Sequence, residues 1–449
     1  MRTLVLFLVT CLLADRAQAA SIHAASCSQS DVQAAINAAS DGDTIVIPEG
    51  TCTWNAGITT SKQIKIQGQT KGRVKLIMGA GISPWDAAML HIIAGTTYRT
   101  EISNLQFWQG AGTGSYLIID GAETDKPPLI HDNYFNSRGW QIFEFMVYRR
   151  YGGGVIYNNT FESTDNSECT TGPTPTGFGC GLGSGNIQIK DAVGGDLSWS
   201  TPSTMGVDDA TGLNNIYIED NVFTNVGSVD CDDGSRVVMR RNTFTDSPLT
   251  CQGADTSYIG NRHTQLYENV LNFQLSGTWT LQDINANPVT GYYPLNINKW
   301  WTVRGGTGII TGNVMANISS QMWGDKPEVA FQIQQSDRNA GPDPCCPGGY
   351  PCFHQVGRGQ NNTLEPFYIW GNSGTGRPQT PSIENSGYEE CPNNPNQSNP
   401  GYYIQANRDY YIGTAKPGWV RYSYPHPLRS GTSSSDNTPP LFPKNLRLR

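Results

Sequence analysis

One six-residue unit recurs along the chain and limits the folds it can adopt: apolar, two variable residues, asparagine, one variable residue, apolar. A looser copy is ISNLQF at Asn104. Neighbouring asparagines without long gaps are 29, 26, 21 and 27 residues apart, and such a period indicates one supersecondary unit per repeat. The clear copies are IHDNYF (Asn133), IYNNTF (Asn159), IEDNVF (Asn221), MRRNTF (Asn242), LYENVL (Asn269) and ITGNVM (Asn313).

The repeat has the alternation of a β-strand. Ile216 and Ile218 precede one asparagine, and Val237 and Met239 precede the next, so alternate side chains should point inward. Three short strands and three turns fit a repeat of this length, and each repeat buries its apolar face on its neighbours. Gly 50, Pro 27 and 15% charged residues also favour an all-β chain with many turns. The wider gaps of 62 and 44 residues fit extra coils or long insertions.

The repeated asparagines are interpreted as scaffold. An asparagine at a turn tolerates left-handed backbone and can bond its own backbone or its copy one coil away. Stacked coils would therefore align these side chains in a ladder. The repeat predicts structure, and functional residues are expected between its copies.

A helix is predicted before the first strand. Ser30, Asp31, Val32 and Gln33 have the form of a capping box, and small or apolar residues recur at helical spacing up to Ala39. Strands are predicted at residues 44–47, 63–68 and 74–78. A helix in this place would cover the interior and the unpaired strand edges of the first coil.

The chain resembles the parallel β-helix proteins of the pectate-lyase-like superfamily. The resemblance rests on DGDTIVIPEG, the NTF and NVF repeats, DDGSRVVMRRNTF, RGGTG and the closing YPHPL, and it extends over the whole mature chain. It implies an all-β fold, a right-handed parallel β-helix (solenoid) with an N-terminal capping helix. One domain is predicted over residues 20–428, with long loops near 165–212 and 337–362 and a flexible tail at 429–449. The YPHPL region is expected to return along the outside or to cap the last coil.

The first 19 residues are predicted to be a secretory signal peptide. Arg2 precedes an apolar run, and Ala17-Gln18-Ala19 fits a small-x-small cleavage site. We therefore expect a secreted, extracellular protein. Eleven cysteines are present, and an even number remains after Cys11 is removed, which favours disulfides. Cys231 and Cys251 are expected to pair across neighbouring coils.

The charge balance narrows the class of partner. A formal net charge of −8 without a basic run argues against nucleic acid and anionic membranes, and no later apolar run is long enough to span a bilayer. A local arginine cluster can still bind an acidic ligand. The predicted partner is an extended, acidic polysaccharide, and the protein is expected to be a monomer.

Aligning the copies on their asparagines brings reactive residue types together. Arg236 falls in the column of His263, and Ser235 in that of Arg262. Successive coils stack about 4.8 Å apart, so the side chains in a column should lie close together. The predicted patch lies on one side of two or three coils and also contains Asp230, Asp232, Asp233, Asp255 and Arg304.

Such a patch could cleave a uronate-containing glycan by β-elimination. A lyase must neutralise the uronate carboxylate, remove the neighbouring proton and protonate the leaving oxygen. Arg236 and Arg262 are the predicted carboxylate clamp, with His263 or Tyr258 as the proton-transfer group. Two further sets complete the hypothesis: Arg240 and Arg304 for substrate binding, and Asp230, Asp232 and Asp233 for Ca²⁺.

The resemblance implies a carbohydrate-active protein, although the best-known catalytic signatures of its relatives are absent. The chain lacks the WIDH and RxPxxR motifs of pectate lyases and the NxD, DD, GHG and RIK series of polygalacturonases. It has Gln252-Gly253-Ala254-Asp255 where related proteins often have HGTD. One alternative is a glycoside hydrolase that uses paired aspartates, Asp233 and Asp255. The other is a non-catalytic polysaccharide-binding or adhesin-like surface protein.

Overall fold

The structure is a computed structural model, and it describes most of the repeat region. The described residues are 19–84, 86–121, 126–137, 144–150, 153–163, 186–190, 215–224, 226–232, 234–245, 247, 249–251, 261–272, 278–282, 288–292, 299–316, 329–336, 356–359, 363–374, 380–386 and 404–429.

Three long parallel sheets form the sides of a solenoid. Sheet A contains β1 (Ser21–His23), β2 (Thr44–Ile47), β5 (Lys65–Gly68), β8 (Glu101–Ser103), β11 (Leu129–His131), β14 (Gly154–Tyr157), β17 (Ile216–Glu219), β20 (Arg236–Arg240), β23 (His263–Tyr267), β28 (Thr307–Thr311), β31 (Phe367–Trp370) and β34 (Tyr410–Ile412). Sheet B contains β3 (Gly50–Trp54), β6 (Val74–Met78), β9 (Gln106–Gln109), β12 (Tyr134–Ser137), β15 (Thr160–Ser163), β18 (Val222–Thr224), β21 (Thr243–Thr245), β24 (Val270–Asn272), β29 (Val314–Ala316) and β32 (Ser373–Gly374).

Sheet C closes each coil, and a short antiparallel hairpin lies between β24 and β27 (Lys299–Arg304) in the chain. Sheet C contains β4 (Ile58–Thr60), β7 (Ala88–Ile93), β10 (Ser115–Gly121), β13 (Glu144–Arg150), β16 (Asn186–Lys190), β19 (Val229–Asp232), β22 (Leu249–Cys251), β27 (Lys299–Arg304), β30 (Val329–Ser336) and β33 (Ser382–Ser386). The hairpin consists of β25 (Thr278–Gln282) and β26 (Pro288–Tyr292). The chain passes from sheet A to B to C and back to A, and each strand pairs in parallel with its copy in the next coil. The prediction of an all-β parallel β-helix is confirmed.

The interior is filled by side chains that stack from coil to coil. Five phenylalanines on sheet B form a column, and neighbouring ring centroids are 4.7 to 5.1 Å apart. They are Phe107, Phe135, Phe161, Phe223 and Phe244. Because each ring is fully buried against its copies, the repeat period itself produces the apolar core.

The asparagine ladder is present. Each side-chain Oδ1 accepts the backbone N–H of the ladder asparagine one coil earlier, at 2.9 to 3.0 Å. Asn372 extends the ladder by one coil beyond the predicted copies. Asn104 was aligned one residue too early, because Leu105 takes the ladder position there. Asn104 instead has φ 60°, like the residues before the other ladder asparagines, so left-handed backbone belongs to the position before the asparagine.

The N-terminal helix α1 spans Gln29–Ala38 and covers the first coil. Val32, Ala35 and Ile36 are buried in the same cluster as the first strands, so the helix has the predicted position. Its cap is Ser28 and not Ser30, because Ser28 Oγ accepts the Asp31 N–H at 3.3 Å. A disulfide between Cys27 and Cys52 ties the start of the helix to sheet B.

The wide gaps between ladder asparagines are insertions and not extra coils. Asn159 and Asn221 are direct neighbours in the ladder, and so are Asn269 and Asn313. Of the two predicted long loops, residues 186–190 form β16, and most of the remainder lies outside the described residues. The signal peptide up to residue 18 and the tail from residue 430 also lie outside them and stay predictions. No helix in the described part of the chain is long and apolar enough to cross a membrane.

Residues 404–429, here called the C-terminal segment, pack on the outer face of sheet A. After β34 pairs with β31, the chain turns back along the solenoid. Trp419, Tyr422 and Leu428 pack against an outward-facing apolar cluster. That cluster contains Leu129, Val155, Tyr157, Tyr217, Val238 and Tyr267. The closing motif therefore returns along the outside of the solenoid.

Candidate functional site

Three of the predicted site residues, Arg236, Arg262 and His263, lie where sheet C ends and sheet A begins, here called the corner. Three successive turns stack there, ending at Arg236, His263 and Thr307. The Arg262 and His263 N–H groups both donate to Ser235 O, at 3.0 and 3.3 Å. Arg236 and His263 are register partners in β20 and β23, as the alignment of the repeats predicts.

Glycine is required in the third turn of the corner. Gly306 has φ +66°, and a Cβ there would lie 2.3 Å from Arg262 O and 2.4 Å from Asn261 O. The Thr307 N–H donates to Arg262 O at 3.0 Å in the same place. The RGGTG motif is thus explained by close approach of two turns, because any larger residue would push them apart.

His263 is fully buried at the corner and is neutral. Burial lowers its pKa well below the usual value, and the positive charges of Lys416 and Arg236 lower it further. Nδ1 has no hydrogen-bond partner among the described residues, and Nε2 lies 3.3 Å from Gln265 Nε2. Because Trp419 Nε1 donates to Gln265 Oε1 at 3.3 Å, the C-terminal segment lies over this part of the corner.

The two predicted clamp arginines are also buried. Arg236 is 6% exposed and Arg262 is 1% exposed. The structure therefore brings Arg236, Arg262 and His263 together, but inside the protein. A glycan could contact them only after the covering segments had moved.

Arg240 belongs to a different, structural network. Its guanidinium is fully buried and bonds Glu219 Oε2 at 2.7 Å, while Nη1 bonds the Tyr267 hydroxyl at 3.0 Å. It also donates to the carbonyl oxygens of Tyr422 and Ser423, both at 2.8 Å. Arg240, which the sequence predicts to bind substrate, therefore holds the C-terminal segment on sheet A.

Glu219 stays ionised in this network. Burial would raise the pKa of its carboxyl, but the charges of Arg240 and Arg429 outweigh burial and lower it. Arg429 Nη1 donates to Glu219 Oε1 at 2.7 Å, and the His426 N–H donates to the same oxygen at 3.1 Å. The C-terminal segment is therefore attached at its end by charge-assisted bonds.

The predicted aspartates lie on sheet C, so the sequence-predicted patch is divided between two sheets. Asp230 is 7% exposed and is level with Gln188 on one side and Thr250 on the other. Cys231 points inward and forms the predicted disulfide with Cys251.

Part of the prediction cannot be placed. Asp233, Asp255 and Tyr258 lie outside the described residues, and only the backbone positions of Asp232 and Arg304 are described. In the described part of the chain no group of three His, Cys, Asp or Glu residues could hold a metal ion. The Ca²⁺ site at Asp230, Asp232 and Asp233 therefore stays a prediction.

Sequence reasoning missed the outer face of sheet C as a site. One register column along four successive coils consists of charged residues, and we call it the charged column. Of this column the side chain of Asp120 is described and is 30% exposed, and the adjacent register column, which includes Ile119 and Ile189, belongs to the core. The charged column contains Asp120, Arg149, Lys190 and Asp232.

A histidine–aspartate pair lies at the N-terminal end of the charged column. His91 Nε2 is 2.6 Å from Asp120 Oδ2, and the side chains are 29% and 30% exposed. They come from neighbouring strands, β7 and β10. His91 is level with Ile118, so its contact with Asp120 is diagonal, and aligning the repeats on their asparagines does not reveal it.

Comparison with known proteins shows a weak structural similarity. No protein-family model matches the chain, and no curated protein matches it. Among solved structures, the chain is similar to an alginate lyase from Paenibacillus sp. str. FPU-7, with 11% identity and a TM-score of 0.30. The match covers 82% of this chain and 98% of that chain.

Proposed function

We propose that the protein binds an extended, uronate-containing polysaccharide on the outer face of sheet C and cleaves it by β-elimination. The observation that supports this most is the charged column, which places titratable residues on four successive coils of one face. Because coils repeat about every 4.8 Å, such a face offers regularly spaced groups to a polymer.

β-Elimination also fits the residue types. The reaction needs a cation beside the uronate carboxylate and a group that accepts the adjacent proton. Arg149 and Lys190 hold neighbouring positions in the charged column. At the corner, Arg236 and Arg262 keep their predicted clamp role, and neutral His263 could accept a proton if the C-terminal segment moved away.

The remaining predicted roles are carried as proposals. Asp230 and Asp232 lie two residues apart on one strand and, with Asp233, would supply the carboxylate ligands for Ca²⁺. Arg304 and Tyr258 keep their predicted substrate-binding and proton-transfer roles. Secretion is supported by the two disulfides among the described residues, because disulfides persist mainly in oxidising compartments.

The test is a depolymerisation assay with the full chain on alginate, polygalacturonate and glucuronate-containing polymers, with calcium or with chelator. We expect new ultraviolet absorbance from unsaturated ends on at least one polymer. New reducing ends without that absorbance would mean that the protein is a hydrolase, for which Asp233 and Asp255 are the predicted catalytic pair. Binding without any cleavage would leave the surface-protein alternative.

A variant pair tests the corner separately. If the corner holds substrate, Arg262→Ala should lower kcat/KM by about 100-fold, since truncation of one partner in a desolvated charge pair costs about 2–5 kcal/mol. The matched control is Arg421→Ala, because Arg421 is 56% exposed and contacts Glu268 on the covered sheet A face. Lyase activity that survives Arg262→Ala would exclude the corner from the site and leave the lyase assignment intact.

A further inference from the structure

His91 differs from the other described histidines in having both a carboxylate partner and access to solvent. His131 uses both ring nitrogens, with Asp132 at 2.8 Å and Glu101 at 3.1 Å. His263 is fully buried, and His426 Nδ1 accepts the Leu428 N–H at 3.2 Å. His23 is exposed on β1. Only at His91, among the described histidines, does a carboxylate hold one nitrogen while the ring remains reachable.

The contact with Asp120 fixes the tautomer of His91. An ionised carboxylate only accepts hydrogen bonds, so in the neutral ring the proton lies on Nε2, which donates to Asp120 Oδ2. The lone pair is then on Nδ1, for which no described residue provides a hydrogen bond. A histidine oriented by an aspartate in this way is suited to accept a proton from a bound substrate.

The positions around the pair match an acidic sugar. Asp120 is level with Arg149, and Arg149 is level with Lys190, so two basic positions follow on the next two coils. A uronate bound there would have its carboxylate beside basic positions and its ring beside His91. Cations at this place would lower the energy of the carbanion that forms next to the carboxylate.

We propose that His91 is the catalytic proton-transfer residue for β-elimination on this face, and that Asp120 is its positioning residue. This inference rests on the proposed lyase function and assigns the proton transfer to sheet C instead of the corner. His91 Nδ1 takes the proton from C5 of the uronate. The electron pair of that C–H bond forms the C4=C5 double bond while the C4–O bond breaks.

The leaving oxygen accepts one proton, supplied by solvent or by the protonated His91. One chain gives a new end and an unsaturated uronate, and the reaction needs neither water nor an oxidant. The protons and electrons of the reaction therefore balance without a cofactor in the proton-transfer step.

The test compares five purified variants on the polymer that the wild type cleaves. His91→Gln should lower kcat at least about 100-fold with KM little changed, because general-base catalysis contributes about 10²–10⁴-fold. Asp120→Asn should also lower kcat, because its amide can donate to Nε2 and place the ring proton on Nδ1. His23→Gln is the control and should keep kcat within about threefold, whereas His263→Gln tests the corner, with circular dichroism and thermal unfolding reporting the fold of each.

Asp120→Glu adds a readout for the positioning role, because a longer carboxylate can still accept from Nε2. It should recover part of the activity that Asp120→Asn loses, which a purely structural aspartate would not explain. A folded His91→Gln variant with wild-type kcat would overturn the dyad while the lyase function stands. Loss of activity in His263→Gln alone would return the proton transfer to the corner, and a wild type that forms no unsaturated ends would overturn both proposals.

Discussion

The outer faces of sheets A and C are built from the same coils, yet they use charge differently. On sheet A, Glu219 and Arg240 are fully buried, bonded to each other and covered by the C-terminal segment. On sheet C, His91 and Asp120 are also bonded to each other, but each keeps almost a third of its side-chain exposure. Glu219 and Arg240 are register partners, whereas His91 is level with Ile118 and contacts Asp120 on the diagonal. On sheet A the C-terminal segment removes the pair from solvent, whereas the pair on sheet C keeps partial exposure.

The contrast has an energetic basis. A charge taken out of water is costly unless it is paired and hydrogen-bonded, which explains why Arg240 contacts Glu219, Tyr267 and two carbonyl oxygens. A pair that retains solvent pays little of this penalty and can exchange protons with a ligand. Substitutions on the two faces should therefore separate stability from activity.

The largest stability effect is expected at the covered face. Arg240→Ala should lower the free energy of unfolding by about 3–5 kcal/mol, because it leaves buried Glu219 short of one of its two cations. Denaturant unfolding measures this, with Arg421→Ala as the exposed arginine control. A loss below about 1 kcal/mol would mean that the C-terminal segment does not depend on this network.

The asparagine ladder should give the next largest effect, on a side of the coil that neither outer face includes. Asn242→Ala should cost about 2–3 kcal/mol, because it removes the acceptor of the buried Asn221 N–H and the donors to Ile218 O and Asn269 Oδ1. Asn37→Ala is the matched control, since Asn37 is exposed and its side chain bonds only Gln33 among the described contacts. Equal losses of unfolding free energy for the two substitutions would contradict a stabilising role of the ladder hydrogen bonds.

The fold was largely predictable because its determinants repeat. Six ladder asparagines recur in the same apolar-x-x-Asn-x-apolar unit, so the strands around them could be aligned without a structure. Asn372 was missed because Gly374 stands where the unit has its final apolar residue. The cap at Ser28 was missed because Ser30 lies in an equally acceptable local sequence, and only the hydrogen bond distinguishes them.

The site was predictable only in part. Alignment placed Arg236 level with His263 and anticipated the Cys231–Cys251 disulfide, because both depend on coil register. Alignment of the repeats could not predict that the C-terminal segment covers sheet A, where Arg240 bonds a carbonyl oxygen 182 residues later in the chain. Such docking depends on complementary side chains that have no period. His91 and Asp120 were overlooked because no asparagine unit marks their strands.

The pH dependence of stability should distinguish the ion cluster of Glu101, His131 and Asp132 from the covered Glu219–Arg240 pair on sheet A. The His131 hydrogen bond lowers the pKa of Glu101 to about 2, and bonds from His131 and Lys71 outweigh burial to lower that of Asp132 to about 2. Both groups stabilise the fold above their unfolded values, and this stability is lost as pH falls from about 4.5 to about 2.

The stability contributed by His131 depends on pH in the opposite direction. Burial would lower its pKa, but the bonds to Asp132 and Glu101 outweigh burial and raise it above 6.5. Its contribution is present below pH 6.5 and is lost as pH rises through the raised value. Unfolding of wild type and His131→Gln, compared from pH 2 to 9, should show the largest difference between about pH 4.5 and 6.5, of about 1–2 kcal/mol. A difference independent of pH would contradict this ion cluster.

The smallest effect is expected where an ion pair of this same cluster reaches the solvent. Lys71 Nζ lies 2.6 Å from Asp132 Oδ1, but its side chain is 63% exposed. Exposed pairs contribute only about 0–1 kcal/mol and are screened by salt. Lys71→Ala should therefore change the free energy of unfolding at neutral pH by less than about 0.5 kcal/mol, and the change should shrink further in 1 M salt. A loss as large as that of Arg240→Ala would show that the short distance matters more than the exposure, and it would remove the basis for separating the covered face from the open one.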